Sequence, residues 1–253
     1  MTEEEVKSAI KAAYAAKAEE SDECYPYCFS LHCARGTIPE AEAFGYTRGE
    51  LESIPEEALM GLGCGNPLTG VDINAGDRVL DLGSGGGIDS FLAAGKVGPE
   101  GQVIGIDVTE EMVNKARLTA AHYGYQNVEF ELGEIENLSI ESNSVEIIIS
   151  NCAINLSLDK SKVFQEAFRV LKPGGRLSIS DTAVEEELPR QIRQNLTAWT
   201  GHVAGALTKH NYLDIVKEAG FGDVNILSEQ DFDAENGDGK VLSIVLTARK
   251  PER

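Results

Sequence analysis

The chain has 253 residues, 42% of them hydrophobic, with 42 Asp and Glu against 22 Lys and Arg and a formal charge of −20. That excess of acid argues against nucleic acid and anionic membranes as partners, since both are held mainly by Lys and Arg. The apolar content is too high for a charge-expanded disordered chain and enough for a sizeable core. No apolar run approaches the ~20 residues of a membrane span. The acidic start MTEEEVKSAI lacks the basic segment of a secretory signal. Five cysteines, an odd number, suit thiols in a reducing compartment. The expectation is a cytoplasmic protein.

In chain order, residues 4–20 are Ala-rich and predict a helix, with acids at its start. Residues 21–39, carrying Cys24, Cys28 and Cys33, read as irregular. A short helix is expected near Pro55, then a Gly/Pro-rich loop around Cys64. From Asp77 strands and helices alternate: RVLDLGSG, SFLAAGKVG, QVIGIDV, TEEMVNKARLTAAHYG, NVEFELGEI, SVEIIISN, KSKVFQEAFRVL and RLSISDT. Thr109 is the expected N-cap of the second helix and Gly124 its stop. Continuous apolar strands between helices mean a parallel sheet covered on both faces. A helical stretch at about 186–208, a helix at Lys209–Ala219 and two strands around Asn236-Gly237 and Asp238-Gly239 follow. The last pair reads as an antiparallel hairpin.

The expected fold is therefore α/β: a Rossmann-like, seven-stranded, mostly parallel sheet with helices on both faces and an antiparallel C-terminal hairpin strand. A mostly helical or irregular N-terminal segment precedes it. Residues 1–70 read as a Cys-rich cap, 71–184 as the cofactor-binding core and 185–253 as acceptor-side helices plus the hairpin that completes the sheet.

The strongest chemical signal is Val79-Leu80-Asp81-Leu82-Gly83-Ser84-Gly85-Gly86-Gly87. Glycines where the first strand turns into its helix let the backbone approach a ligand. Asp107 ends the second strand, where an acid accepts hydrogen bonds from ribose hydroxyls. A dinucleotide reading would need a third glycine where this chain has Ile88. VLDLGSGGG, IGIDVTEEM, ELGEIENL and LKPGGRLSISD, in this order, resemble the class I S-adenosylmethionine-dependent methyltransferases over residues 71–184. The resemblance implies that Asp81, Gly83, Ser84 and Gly85 face the methionine part and that Asp107 holds the ribose. It also implies Val108 or Met112 beside the adenine, Gly133, Glu134 and Ile135 at its edge, and Asn151 beside the sulfonium.

Three stretches lie outside those strands: GLGCGNP around Cys64, SNCAINL around Cys152, and HVAGAL from His202. Free cysteines are often small buried hydrophobes. Cys152, however, directly follows the fourth strand, and the glycines beside Cys64 are expected to leave its thiol unshielded. Together the stretches resemble the arsenite methyltransferases of bacteria and archaea, from about Ala41 to Phe221. The resemblance implies that thiols in these loops bind trivalent arsenic, with Cys64, Cys152 and His202 as catalytic groups and Cys28 or Cys33 as further ligands. It implies a thiol reductant as partner and no resident metal. The chain departs from the family at His202, where these enzymes carry a cysteine. A zinc site at Cys24, Cys28, Cys33 and His32 lacks the usual second ligand pair. Two other functions stay open. One is methylation of another metalloid or a small organic acceptor such as a quinone precursor, with His202 as general base. The other is a non-enzymatic metalloid binder.

Overall fold

The computed structural model of the protein describes residues 2–19, 37–232 and 241–252. Its strands are β1 (Arg78–Leu82), β2 (Gln102–Asp107), β3 (Val128–Leu132), β4 (Val145–Asn151), β5 (Leu171–Val184), β6 (Leu207–Thr208), β7 (Gly222–Phe232) and β8 (Val241–Arg249). Their order in the sheet is β3-β2-β1-β4-β5-β8-β7, with β6 paired to β5. Strands β1 to β5 are parallel, and β8 runs antiparallel between β5 and β7. The sheet has eight strands where seven were expected. The extra one, β6, is two residues long and pairs only with Ala183 and Val184. So short a strand carries no periodicity to read.

The helices are α1 (Glu3–Glu19), α2 (Ile38–Ala43), α3 (Arg48–Glu52), α4 (Ile88–Val97), α5 (Glu110–Tyr123), α6 (Lys160–Val170), α7 (Arg190–Arg193), α8 (Leu196–Thr200) and α9 (Lys209–Glu218). Successive strand residues point to opposite faces. Leu80, Leu82 and Ile148 therefore join Phe164 and Tyr212 in one apolar layer. Val79, Ile147 and Ile149 join Phe91 and Val113 in the other. Both layers are closed, which is why these strands read as continuous apolar runs. Helix α5 begins after Thr109 and stops at Gly124 in a left-handed conformation (φ 75°), although the Thr109 side chain forms no cap hydrogen bond. Near Pro55 a single 3-10 turn, Glu56–Ala58, replaces the expected helix.

Helix α1 does not stand apart from this core. Its Val6 and Ile10 bury themselves with Ala198, Trp199 and Ala204, so the N-terminal helix packs on the α8 segment above the sheet. Among the described residues no helix is long and apolar enough to cross a membrane.

Candidate active site

The carboxyl ends of β1, β2 and β4 open into a cleft of about 1370 Å³ counted out to its solvent-filled mouth. Gly83 has φ 75°, and a Cβ there would stand 2.1 Å from that of Ala153. Gly85 has φ 50° and faces open space, which leaves its backbone bare toward a ligand. Asp107 ends β2. One carboxylate oxygen accepts from the Gly85 amide at 2.9 Å and the other from the Thr109 amide at 2.9 Å. The Thr109 hydroxyl and the Val108 amide also approach it. Burial holds the Asp107 carboxyl above its usual range. The Ser84 hydroxyl is buried without a partner among the described residues. A bare glycine turn, a carboxylate at the strand end and an orphaned hydroxyl fit the ribose and amino-acid parts of S-adenosylmethionine.

Other expected cofactor residues fall in different places. Val108, Glu134 and Ile135 line the cleft. Met112 does not: it is fully buried, because its position on α5 faces the core. Gly133 is not in the cleft wall, and its amide donates to the Asp107 carbonyl at 2.9 Å. Asp81 lines the cleft but is buried and accepts from the Ser90 hydroxyl at 2.6 Å. Burial and the charge of Asp89 push its carboxyl well above the usual range.

Asn151, expected beside the sulfonium, spends its amide on the Cys64 loop. Its oxygen accepts from the Cys64 amide at 3.1 Å. Its nitrogen donates to the Gly65 carbonyl at 2.7 Å, the Tyr46 hydroxyl at 3.0 Å and Asp89 at 3.2 Å. Tyr46 in turn donates to Asp89 at 2.7 Å. Burial pushes Asp89 up to about 6, while these two donors pull it back.

Cys64 and Cys152 are free thiols, each 3% exposed. This corrects the reading of Cys64 as unshielded. Its flanking glycines serve close packing instead: a Cβ on Gly65 would meet the Ser180 hydroxyl at 2.2 Å, and one on Gly63 the Asn151 amide at 2.9 Å. The loop is thereby pressed onto the ends of β4 and β5, and the thiol goes inward. Cys152 lies just past β4 with φ 57°, its amide donating to the Ser180 carbonyl at 2.8 Å. The two sulfurs and a carboxylate oxygen of Asp181 all lie within 4.8 Å of one another. Burial, and then the neighbouring Cys64, push the Cys152 thiol well above its ordinary pKa. Asp181 accepts from the Tyr212 hydroxyl at 2.8 Å and the Thr182 amide at 2.8 Å. Burial lifts its carboxyl to about 6.

His202 also lines the cleft, on a left-handed residue (φ 62°) whose carbonyl accepts from Thr182 at 2.7 Å and from the Asn155 amide. Its Nε2 lies 2.5 Å from the Tyr14 hydroxyl of α1, and its Nδ1 is buried with no well-formed hydrogen bond among the described residues. Burial and the nearby Lys17 charge lower its pKa to about 3. The ring is therefore neutral at working pH, and the titration near 6.5 expected of an ordinary histidine does not apply to it. Cys24, Cys28, Cys33 and His32 lie outside the described residues.

The structure thus brings Cys64 and Cys152 together and sets His202 in the cleft wall. It adds Tyr14, Tyr46, Asp89 and Asp181, which sequence reasoning did not select. Asp181 had a visible signal, an acid inside the apolar strand RLSISDT. Tyr14 had none, for nothing in an Ala-rich helix marks one phenol as the partner of a ring 188 residues away.

Residues 73–220 match the family model described as a methyltransferase domain. The chain is 43% identical over 221 residues to an arsenite methyltransferase of Halobacterium salinarum, covering 84% of this chain and 56% of that protein. It is 38% identical over 183 residues to an arsenite methyltransferase of Aquipseudomonas alcaligenes, covering 70% of this chain and 52% of that one. The chain spans about half the length of these curated relatives. The crystal structure of an arsenic(III) S-adenosylmethionine methyltransferase from Chlamydomonas reinhardtii superposes with a TM-score of 0.69 at 32% identity, over 84% of this chain and 74% of that one. These matches agree with the sheet order and the glycine turn: the chain belongs to the class I S-adenosylmethionine-dependent methyltransferases, in the arsenite methyltransferase family.

Proposed function

We propose that the protein transfers a methyl group from S-adenosylmethionine to trivalent arsenic bound by Cys64 and Cys152. One observation carries the reading: two buried thiols from distant segments meet at the end of the cofactor strands, and Cys152 lines the same cleft as Gly85 and Asp107. Arsenic(III) is soft and prefers sulfur. Arsenous acid is also uncharged. As each As–S bond forms an As–O bond breaks, and the thiol proton leaves with hydroxide as water. A thiol held neutral by burial suits that exchange. A divalent cation would instead have to displace the proton.

In this reading residues 71–184 hold the cofactor, while residues 1–70 and 185–253 build the acceptor side. When bound, the cofactor supplies an electrophilic sulfonium methyl. Asp107 receives the ribose hydroxyls, and the bare backbone at Gly83 and Gly85 admits the methionine part. Asn151 holds the Cys64 loop so that its sulfur stays beside that of Cys152. The arsenic lone pair is the nucleophile, so no side chain has to remove a proton from the acceptor. An organic acceptor would need a base, and a histidine held at about 3 is a weak one. A thiol reductant and a reducing, cytoplasmic setting complete the proposal.

The test is incubation with methyl-labelled S-adenosylmethionine, arsenite and a thiol reductant, followed by chromatographic separation of arsenic species. Label on arsenic is expected. Label on an added quinone-type acceptor, with none on arsenic, would overturn the proposal.

A further inference from the structure

The third position around the acceptor is the part of the site that two thiols leave unassigned. His202 lines the same cleft wall as Cys152, its ring facing the Cys152 backbone. Its Nε2 is engaged by the Tyr14 hydroxyl at 2.5 Å. A phenol is the better donor and an imidazole nitrogen the better acceptor, so Tyr14 donates and the ring proton sits on Nδ1. That Nδ1–H is buried and makes no well-formed hydrogen bond among the described residues, its approach to the Cys152 backbone falling short of one. A buried donor left unpaired carries a desolvation cost that an incoming acceptor atom removes.

We propose that Tyr14 and His202 act as one unit that binds an oxygen of the acceptor, so that arsenic is held through two sulfurs and one oxygen. The inference rests on the arsenic reading of Cys64 and Cys152. Binding balances as follows. Two As–S bonds form, two As–O bonds break, and each thiol proton departs with hydroxide as water. No electrons change hands, and the remaining As–OH oxygen accepts the hydrogen bond from Nδ1–H. A neutral imidazole is required, and the depressed pKa keeps it so. Tyr14 sets which nitrogen carries the proton, which makes it a positioning residue supplied by α1. Helix α1 lines the cleft through Lys7, Ile10 and Tyr14, so this unit shares the cleft wall with Cys152.

Arsenic K-edge X-ray absorption of the full chain with stoichiometric arsenite and a phosphine reductant, free of added thiols, reads the coordination directly. Two sulfurs and one oxygen are expected. Tyr14→Phe and His202→Leu should each weaken arsenite binding about 3- to 10-fold, the scale of one lost hydrogen bond. S-adenosylhomocysteine binding serves as the control for folding in both variants. Three sulfurs in the unaltered protein would overturn the inference while leaving the arsenic reading intact. So would wild-type arsenite affinity in a folded Tyr14→Phe or His202→Leu variant. No arsenite binding to the unaltered protein at all would instead sink the arsenic reading beneath it. The wild-type spectrum needs no substitution, so a variant that fails to fold leaves the decision to that spectrum.

Discussion

Asn151→Ala separates two accounts of one residue. If Asn151 sits against the sulfonium, its loss weakens cofactor binding. If it staples the Cys64 loop, its loss frees that loop. The structure favours the staple, because the amide nitrogen serves Gly65, Tyr46 and Asp89 and the oxygen serves the Cys64 amide. Truncation strands the Cys64 N–H, the Gly65 carbonyl and one Asp89 oxygen. Two neutral hydrogen bonds at ~1 kcal/mol each and one to a charged group at ~1.5–3 kcal/mol sum to about 3–5 kcal/mol. For a chain of this size ~1 kcal/mol shifts Tm by ~2–4 °C, so Tm should fall by roughly 6–20 °C. With the loop released, the second sulfur loses its fixed effective concentration, and arsenite affinity should drop more than about 10-fold. Although Asn151 lines the cleft, its amide is spent on protein groups, so titration calorimetry should find S-adenosylhomocysteine affinity within about 2-fold of wild type. Wild-type Tm and arsenite affinity combined with weakened cofactor binding would refute the staple.

Asp107→Ala should cost about 1.5–3 kcal/mol of S-adenosylhomocysteine binding, the scale of hydrogen bonds to a charged acceptor, as read by calorimetry. Gly65→Ala places a Cβ 2.2 Å from the Ser180 hydroxyl and should displace the Cys64 loop, weakening arsenite binding while cofactor binding persists. The His202 pKa falls from 6.5 to about 3 on folding, so its contribution to stability is present above pH 6.5 and is lost as pH drops through that window. Between pH 8 and 5, urea unfolding should show wild type losing about 2 kcal/mol relative to His202→Leu. A difference that stays constant with pH would show that the ring titrates normally.

Much of the fold was legible because strands β1 to β5 are buried on both faces, and an unbroken apolar run flanked by glycine or a helix pattern allows few other readings. The glycine turn and Asp107 were legible for a related reason: their chemistry is local to one strand end each. The Cys64 loop was not. Glycines beside a thiol are compatible with exposure or with close packing, and only Ser180 and Asn151, more than 80 residues away, decide between them. Of the two residues that the resemblance implies beside the adenine, Val108 lines the cleft and Met112 is buried on the inner face of α5, a choice that the resemblance alone leaves open. The Tyr14–His202 and Tyr212–Asp181 pairs depend on contacts made only after α1 and α9 have docked.

Methylation of arsenic while it is bound to a pair of thiols is open to one decisive comparison. Transfer of methyl label from S-adenosylmethionine to arsenite is measured for the wild-type chain, Cys64→Ser and Cys152→Ser, each first shown to bind S-adenosylhomocysteine normally. Methylated arsenic is expected from the wild type and a loss of at least about 100-fold in each variant, because a hydroxyl does not replace sulfur for a soft acceptor and a single thiol cannot chelate. Methylation at the wild-type rate by either variant would contradict it.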